Sequence, residues 1–406
     1  LVALPFKELT DRYDSITVAD YLESRFDDRQ HVLRILSAIV ILTMVTAYTA
    51  AQLTASGKAF SSFLGTSYAA GVLIGAAVIL YYTTVGGFKA VAYSDVLQGV
   101  LMFSGLLMLP IVGVSAAGGF SQLIEQLHSV DSNLLEPMGE LGFSVAGVLS
   151  AVSFMGIGLA FLGAPQLLTR FISASGRTQI VNGSLLAVIC IIVFDVGAVF
   201  AGMAGRSLFP GLDDPETILP TMASELLPPV ITGLFLVVVL AAIMSTVDSL
   251  LILVSSAVVR DVVQKTLRSN LSDSRLSLYG KLTTVVIGAG ALVLALGEVR
   301  VVFWFVLFAW SGLACAFTPI VLCSLFWKRT TRAGAIVGMV SGFLTTVIWV
   351  LVFKVGFYDL YEMLPGFLVG FVTTIGVSLL TEPPAAAAEE LEAMRAAVGH
   401  PFKGFP

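Results

Sequence analysis

The sequence predicts an all-α polytopic membrane protein, and three observations carry that prediction. Of 406 residues, 57% are hydrophobic and only 12% are charged, about half the charged share of a soluble domain. The apolar residues gather into ten continuous runs, each near the roughly 20 residues that cross a bilayer as a helix. The runs are unbroken and do not alternate over about ten residues, as barrel strands would. A composition this apolar excludes disorder. The net charge of −5 argues against a nucleic-acid partner.

Residues 1–30 are polar and mixed in charge, with no basic-then-apolar start, so they read as a loop and not as a signal peptide. The first span covers 33–57 and carries Tyr48, an aromatic suited to a cavity wall. The second, 67–87, ends in Gly86-Gly87, which allows a tight turn. The third, 94–117, opens at Asp95, a carboxylate that suits either a helix N-terminus or a cation. The fourth, 143–164, is interrupted by Gly156, Gly158, Gly163 and Pro165. Such residues either unwind a helix to line a cavity or permit close packing. Phe161 lies in this interruption. The fifth, 179–204, contains an isolated Asp195, read equally as an ion ligand or as half of a structural pair.

The sixth span, 229–262, holds the densest polar cluster. Ser245, Asp248 and Ser249 fall at i, i+3 and i+4, so they share a helix face, bordered by Thr246 and the carbonyl of Ala242. An all-oxygen cluster suits a hard cation such as Na+ or a proton. The alternative is that the hydroxyls bond back to the preceding turn. Spans at 277–297, 301–326, 333–354 and 363–381 complete the set. The acidic loops 118–142 and 205–228 are expected to hold short surface helices, and the tail 382–406 a short cytoplasmic helix after one transmembrane unit over 1–381. Cys190, Cys315 and Cys323 lie in apolar runs and read as inert thiols.

Lys and Arg set the orientation. With residues 1–32 in the cytoplasm, only Lys58, Arg206, Arg300 and Lys354 of the 22 basic residues fall outside. Both chain ends are then cytoplasmic. There is no H-E-x-x-H, nucleophile elbow or Walker loop. His31, His128 and His400 lie in loops. An enzyme is not expected, and transport would draw on an ion gradient.

The segments TVADYLESRFDDR, TTVGGFKAVAYSDVLQ, GLAFLGAPQLLTRF, LAAIMSTVDSLL, FAWSGLACAFTPIVL and WKRTTRAGAIVGMVSG resemble, in order, those of the sodium:solute symporters, most closely the proline-transporting bacterial members. The resemblance implies a LeuT-like fold of two inverted five-helix repeats. It also implies thirteen spans, of which this sequence would hold the last ten. The absent broken helix would normally supply about half of the ligands, so the chain as given is not expected to transport. The implied main sodium site uses the Ala242 carbonyl with Ser245 and Thr246. A possible second cation site uses Asp95 with the hydroxyls of Ser245 and Ser249, and Asp248 stands at a position that is commonly small and hydroxylic. The implied substrate site includes Tyr48 and Pro165, with Ile157 and Phe161 where the pocket has a tryptophan and a tyrosine.

The expected function is therefore sodium-coupled symport of a small organic solute, proline first and another carboxylate-bearing solute second, in the bacterial cytoplasmic membrane. Proton coupling through Asp195 and Asp248 is the alternative ion. A symporter-like sensor is the alternative class, but a sensor would carry a kinase domain, and only about 25 residues follow the last span. The topology is checked with single cysteines in a cysteine-free background. A membrane-impermeant maleimide should label Glu140→Cys in intact cells and Lys89→Cys only after permeabilisation.

Overall fold

The computed structural model describes residues 1–267, 271–297, 301–357 and 360–398, so Arg300 and His400 lie outside the described residues. Among the described residues there are helices and no strands. In chain order they are α1 Ala3–Arg12, α2 Val18–Arg25, α3 Val32–Leu64, α4 Tyr68–Ala116, α5 Phe120–Val130, α6 Val145–Met155, α7 Pro165–Ser173, α8 Arg177–Leu208, α9 Ile218–Leu226, α10 Pro229–Ser256, α11 Asp273–Leu296, α12 Val302–Phe326, α13 Arg332–Ile348, α14 Met363–Leu379 and α15 Ala387–Val398. Every expected span coincides with a helix.

The second and third spans form one helical run, α4, broken at a single residue. Gly87 has φ 60° and ψ −166°, a conformation that a β-carbon disfavours. The run folds back there. Gly71 near one end packs on Gly57 of α3, and Gly113 near the other packs on Met222 of α9. Lys58, next to Gly57, bonds to Asp214 and Glu216 of the loop leading into α9. Both ends of α4 thus lie at the face assigned outside, and Gly87 lies at the opposite face. Asp95 does not cap the third span, as one sequence reading had it. It sits two turns beyond the break, inside helix.

The fourth span is interrupted as expected. α6 passes into a 3-10 stretch, Gly156–Leu162, before α7 restarts at Pro165. The four residues differ in what they do. A Cβ on Gly163 would collide with Thr318 of α12, so this glycine permits close approach. A Cβ on Gly158 would meet nothing, so this one belongs to the unwinding.

α12 is the most enclosed span, with 72% of its most apolar window buried, against 11% for α8. Its Leu313, Phe317, Ile320 and Val321 join a cluster with Met44 of α3, Leu250 of α10 and Met339 of α13. α13 and α14 meet through small residues: Gly334, Gly338 and Gly342 face Ser378, Thr374 and Gly366.

Residues 1–30, read as a loop, contain two helices. Thr17 caps α2 by accepting from Asp20 N at 2.9 Å. Asp20 and Glu23 of α2 then bind Arg34 of α3, at 2.8 and 2.6 Å. Arg34 also pairs with Asp261 at 2.6 Å, on the π-helical continuation of α10 over Ala257–Thr266. Burial works against ionisation of Asp20, but Arg34 and Arg260 outweigh it and hold the carboxyl below its ordinary range. Burial likewise opposes ionisation of Glu23, and hydrogen bonds from Arg34 and His31 bring it down. The tail helix α15 docks at this face through Leu391 and Met394 and through the Tyr13 hydroxyl, which donates to Glu390 at 2.6 Å.

Replacing Arg34 by Met removes a cation that three carboxylates share and leaves the buried Asp261 without one, which should cost about 3–5 kcal/mol. The depressed carboxyls of the wild type contribute stability that is lost only as pH falls below about 4. In Arg34→Met, Asp20 and Glu23 take up protons at higher pH than in the wild type, so acidification from pH 7 to 5 raises the melting temperature of the variant more than that of the wild type.

Candidate functional site

The middle of α10 carries the residues singled out in the sequence, and they make two sets of contacts. Ser245 and Thr246 both donate to the carbonyl of Ala242, at 3.2 and 3.0 Å. The back-bonding reading is what the structure shows, and it draws three oxygens together. Ala242 is exposed, and Ser245 and Thr246 are half-buried. The set fits a hard cation, for which hydroxyl and carbonyl oxygens are ordinary ligands.

Asp248, one turn on, is fully buried. The Tyr82 hydroxyl of α4 donates to its Oδ2 at 2.7 Å. Ser249 donates to its Oδ1 at 3.3 Å and accepts from Arg170 of α7 at 2.6 Å. The same Nη2 of Arg170 binds Asp95 at 2.7 Å. Asp95, Asp248 and Ser249, proposed together from sequence, are therefore brought together, but a guanidinium joins them. The face of Arg170 lies 5.7 Å from the Phe88 ring centroid. The second oxygen of Asp95 is buried without a hydrogen-bond partner among the described residues, so this carboxylate keeps a free ligand position. Asp195 is exposed on α8 and is not part of the network.

The interrupted helix supplies the other wall. Pro165 is buried at the first position of α7, where its missing N–H costs nothing. Phe161 is 45% exposed, and its ring meets Trp310 of α12 edge-on at 5.5 Å. The Trp310 indole N–H faces the Ile157 carbonyl at 3.5 Å. Tyr48 of α3 packs on the cluster containing Leu313 and Phe317, which continue the Trp310 face of α12. Tyr361, just before α14, stacks on Phe154 at 5.8 Å and anchors α6 by donating its N–H to Ser153 at 3.2 Å.

Three participants escaped the sequence reading. Arg170 was counted among the basic residues that set orientation. A carboxylate at membrane depth demands a cation, but only the fold selects which one. Tyr82 and Trp310 carry no sequence signal that separates them from the other aromatics.

Comparisons with known proteins give the family and the fold. The model of the "Sodium:solute symporter family" matches residues 1–342. The High-affinity proline transporter PutP of Bacillus subtilis is 37% identical over 379 residues, 92% of this chain and 78% of that one. The Sodium/proline symporter of Escherichia coli is 34% identical over 385 residues, 93% of this chain and 75% of that one. A solved structure of a Na+-coupled sialic acid symporter, in a substrate-bound outward-open state, superposes with a TM-score of 0.72 at 21% identity. It covers 92% of this chain and 79% of that one. This likeness establishes a shared fold.

The Tyr82–Asp248 bond is checked by a double-mutant cycle. Tyr82→Phe alone leaves a buried acceptor short of its donor and should cost about 1–3 kcal/mol. In the Asp248→Asn background the same change should cost less by at least about 0.5 kcal/mol. Denaturation in detergent measures both.

Proposed function

Because this chain belongs to the sodium:solute symporter family, we propose that it is a sodium-driven importer of proline, working by alternating access in the bacterial cytoplasmic membrane with both chain ends inside. Sodium is cargo here, not a resident cofactor. Its main site is the Ala242 carbonyl with the Ser245 and Thr246 hydroxyls. The solute lies against Tyr48, Ile157, Phe161 and Pro165. Relatives named as proline transporters, at 34–37% identity, support the choice of solute.

One observation carries the coupling. Arg170, on the half-helix that restarts beside the solute pocket, bonds to Ser249 of α10 at 2.6 Å, one turn from the hydroxyls of the sodium site. An ion that orders α10 therefore acts on the pocket through a direct bond. A coupling of about 1–3 kcal/mol is the usual size, and it is reciprocal. Asp95, Asp248 and Ser249 form a second, cation-sensitive position, with Arg170 as the resident charge that an incoming cation would displace.

The test is uptake of labelled proline by the protein from its complete gene, reconstituted in proteoliposomes. An inward sodium gradient should drive accumulation, and an equal proton gradient should not. Ser245→Ala and Thr246→Ala should each raise the sodium concentration for half-maximal uptake by about tenfold, as loss of about 1.4 kcal/mol implies, with little change in melting temperature. Unchanged sodium affinity in both variants would remove the ion-site assignment. Sodium-induced thermal protection without proline uptake would leave the ion site standing and exclude proline.

A further inference from the structure

An aromatic wall stands beside the interrupted helix. It is built from α12. Trp310 lies edge-on to Phe161 at 5.5 Å and belongs to the same buried cluster as Ile157 and Tyr361. It is only half-buried, so part of its ring remains free to meet a solute. Its N–H faces the carbonyl of Ile157 at 3.5 Å, well beyond the 2.9–3.0 Å of a mature N–H···O bond. The Ile157 carbonyl belongs to the 3-10 stretch. A donor and an acceptor thus face one another at long range, beside two rings.

A zwitterionic imino acid needs those three things: a donor for its carboxylate, an acceptor for its ammonium and an aromatic face for its apolar ring. We propose that Trp310 is a solute-contacting, specificity-determining residue. Its indole N–H donates to the solute carboxylate, and the Ile157 carbonyl, released from the indole, accepts from the ammonium. The Trp310 and Phe161 rings flank the pyrrolidine. Little is lost when the solute enters, because the contact it replaces is already long. The inference rests on the reading of proline as solute and adds the group that recognises it.

The experiment is kinetic, with the complete protein in proteoliposomes. Trp310→Phe keeps a ring and removes the donor. It should raise KM for proline by more than about tenfold, the size of a lost hydrogen bond to a charged group, while Vmax stays within about threefold. Half-saturation by sodium, measured at saturating proline, should stay within about twofold. Prolinamide, which lacks the carboxylate, separates recognition from packing. As a competitor it should lose little affinity in Trp310→Phe, so the preference of the wild type for proline over prolinamide narrows. Trp310→His, which restores an N–H, should recover part of the loss. An unchanged KM in Trp310→Phe overturns the assignment. So does an equal loss for proline and prolinamide, since that marks a packing defect. A wild-type protein that takes up no proline overturns the solute reading first and this inference with it. Wild-type uptake with an indifferent Trp310→Phe overturns this inference alone.

Discussion

Hydrocarbon offers no hydrogen bonds, and the rest of this structure depends on that. Each backbone N–H and C=O within the bilayer must be satisfied inside its own helix, or else beside protein or water. Long unbroken helices are the consequence, and so is the meaning of the interruptions. α4 breaks once, at Gly87, and turns back at the end of a crossing. The interruption between α6 and α7 falls within a crossing, at Gly156–Leu162, with α12 beside it. That is where the carbonyl of Ile157 faces the indole N–H of Trp310. The π-helical end of α10 presents Asp261 to Arg34.

The same rule governs side chains. The buried carboxylates of the network are each answered by a neighbour: Asp248 by Tyr82, Asp95 by Arg170, and Asp20, Glu23 and Asp261 by Arg34. The answers come from different helices, so charge pairing also ties the elements together. α10 takes part in both networks. It reaches α4 and α7 through its middle, and α2 and α3 through its C-terminal continuation. Movement of α10 therefore cannot stay local. It must break or carry contacts at both levels, which is the physical requirement for linking ion occupancy to access.

Much of the architecture is legible in the sequence because membrane spans are long and strongly apolar. The Gly86-Gly87 turn, the interruption at Gly156–Pro165 and the grouping of Ser245, Thr246, Asp248 and Ser249 on one helix need only local rules. Side-chain pairing across helices is not local. Asp248 and Ser245 are three residues apart on α10, but the structure points them at different neighbours. Arg170 lies 75 residues from Asp95, and nothing in either segment names the other. The α2 region shows the same limit. Its charges looked like a solvated loop, because the partner that buries them, Arg34, opens what reads as an apolar span.

The pairing of Asp95 with Arg170 has an electrical consequence. A lone carboxylate at membrane depth would carry a full charge through the field whenever the carrier changed conformation. The cost is about 2.3 kcal/mol per elementary charge for each 100 mV of potential crossed. With the guanidinium held 2.7 Å away, the pair moves as a dipole with no net charge. Membrane voltage then exerts no net force on this part of the empty carrier. The force falls on the loaded form, in which the cargo ion adds the uncompensated charge, so voltage pulls on the inward, ion-carrying half of the cycle and leaves the return of these residues electrically silent.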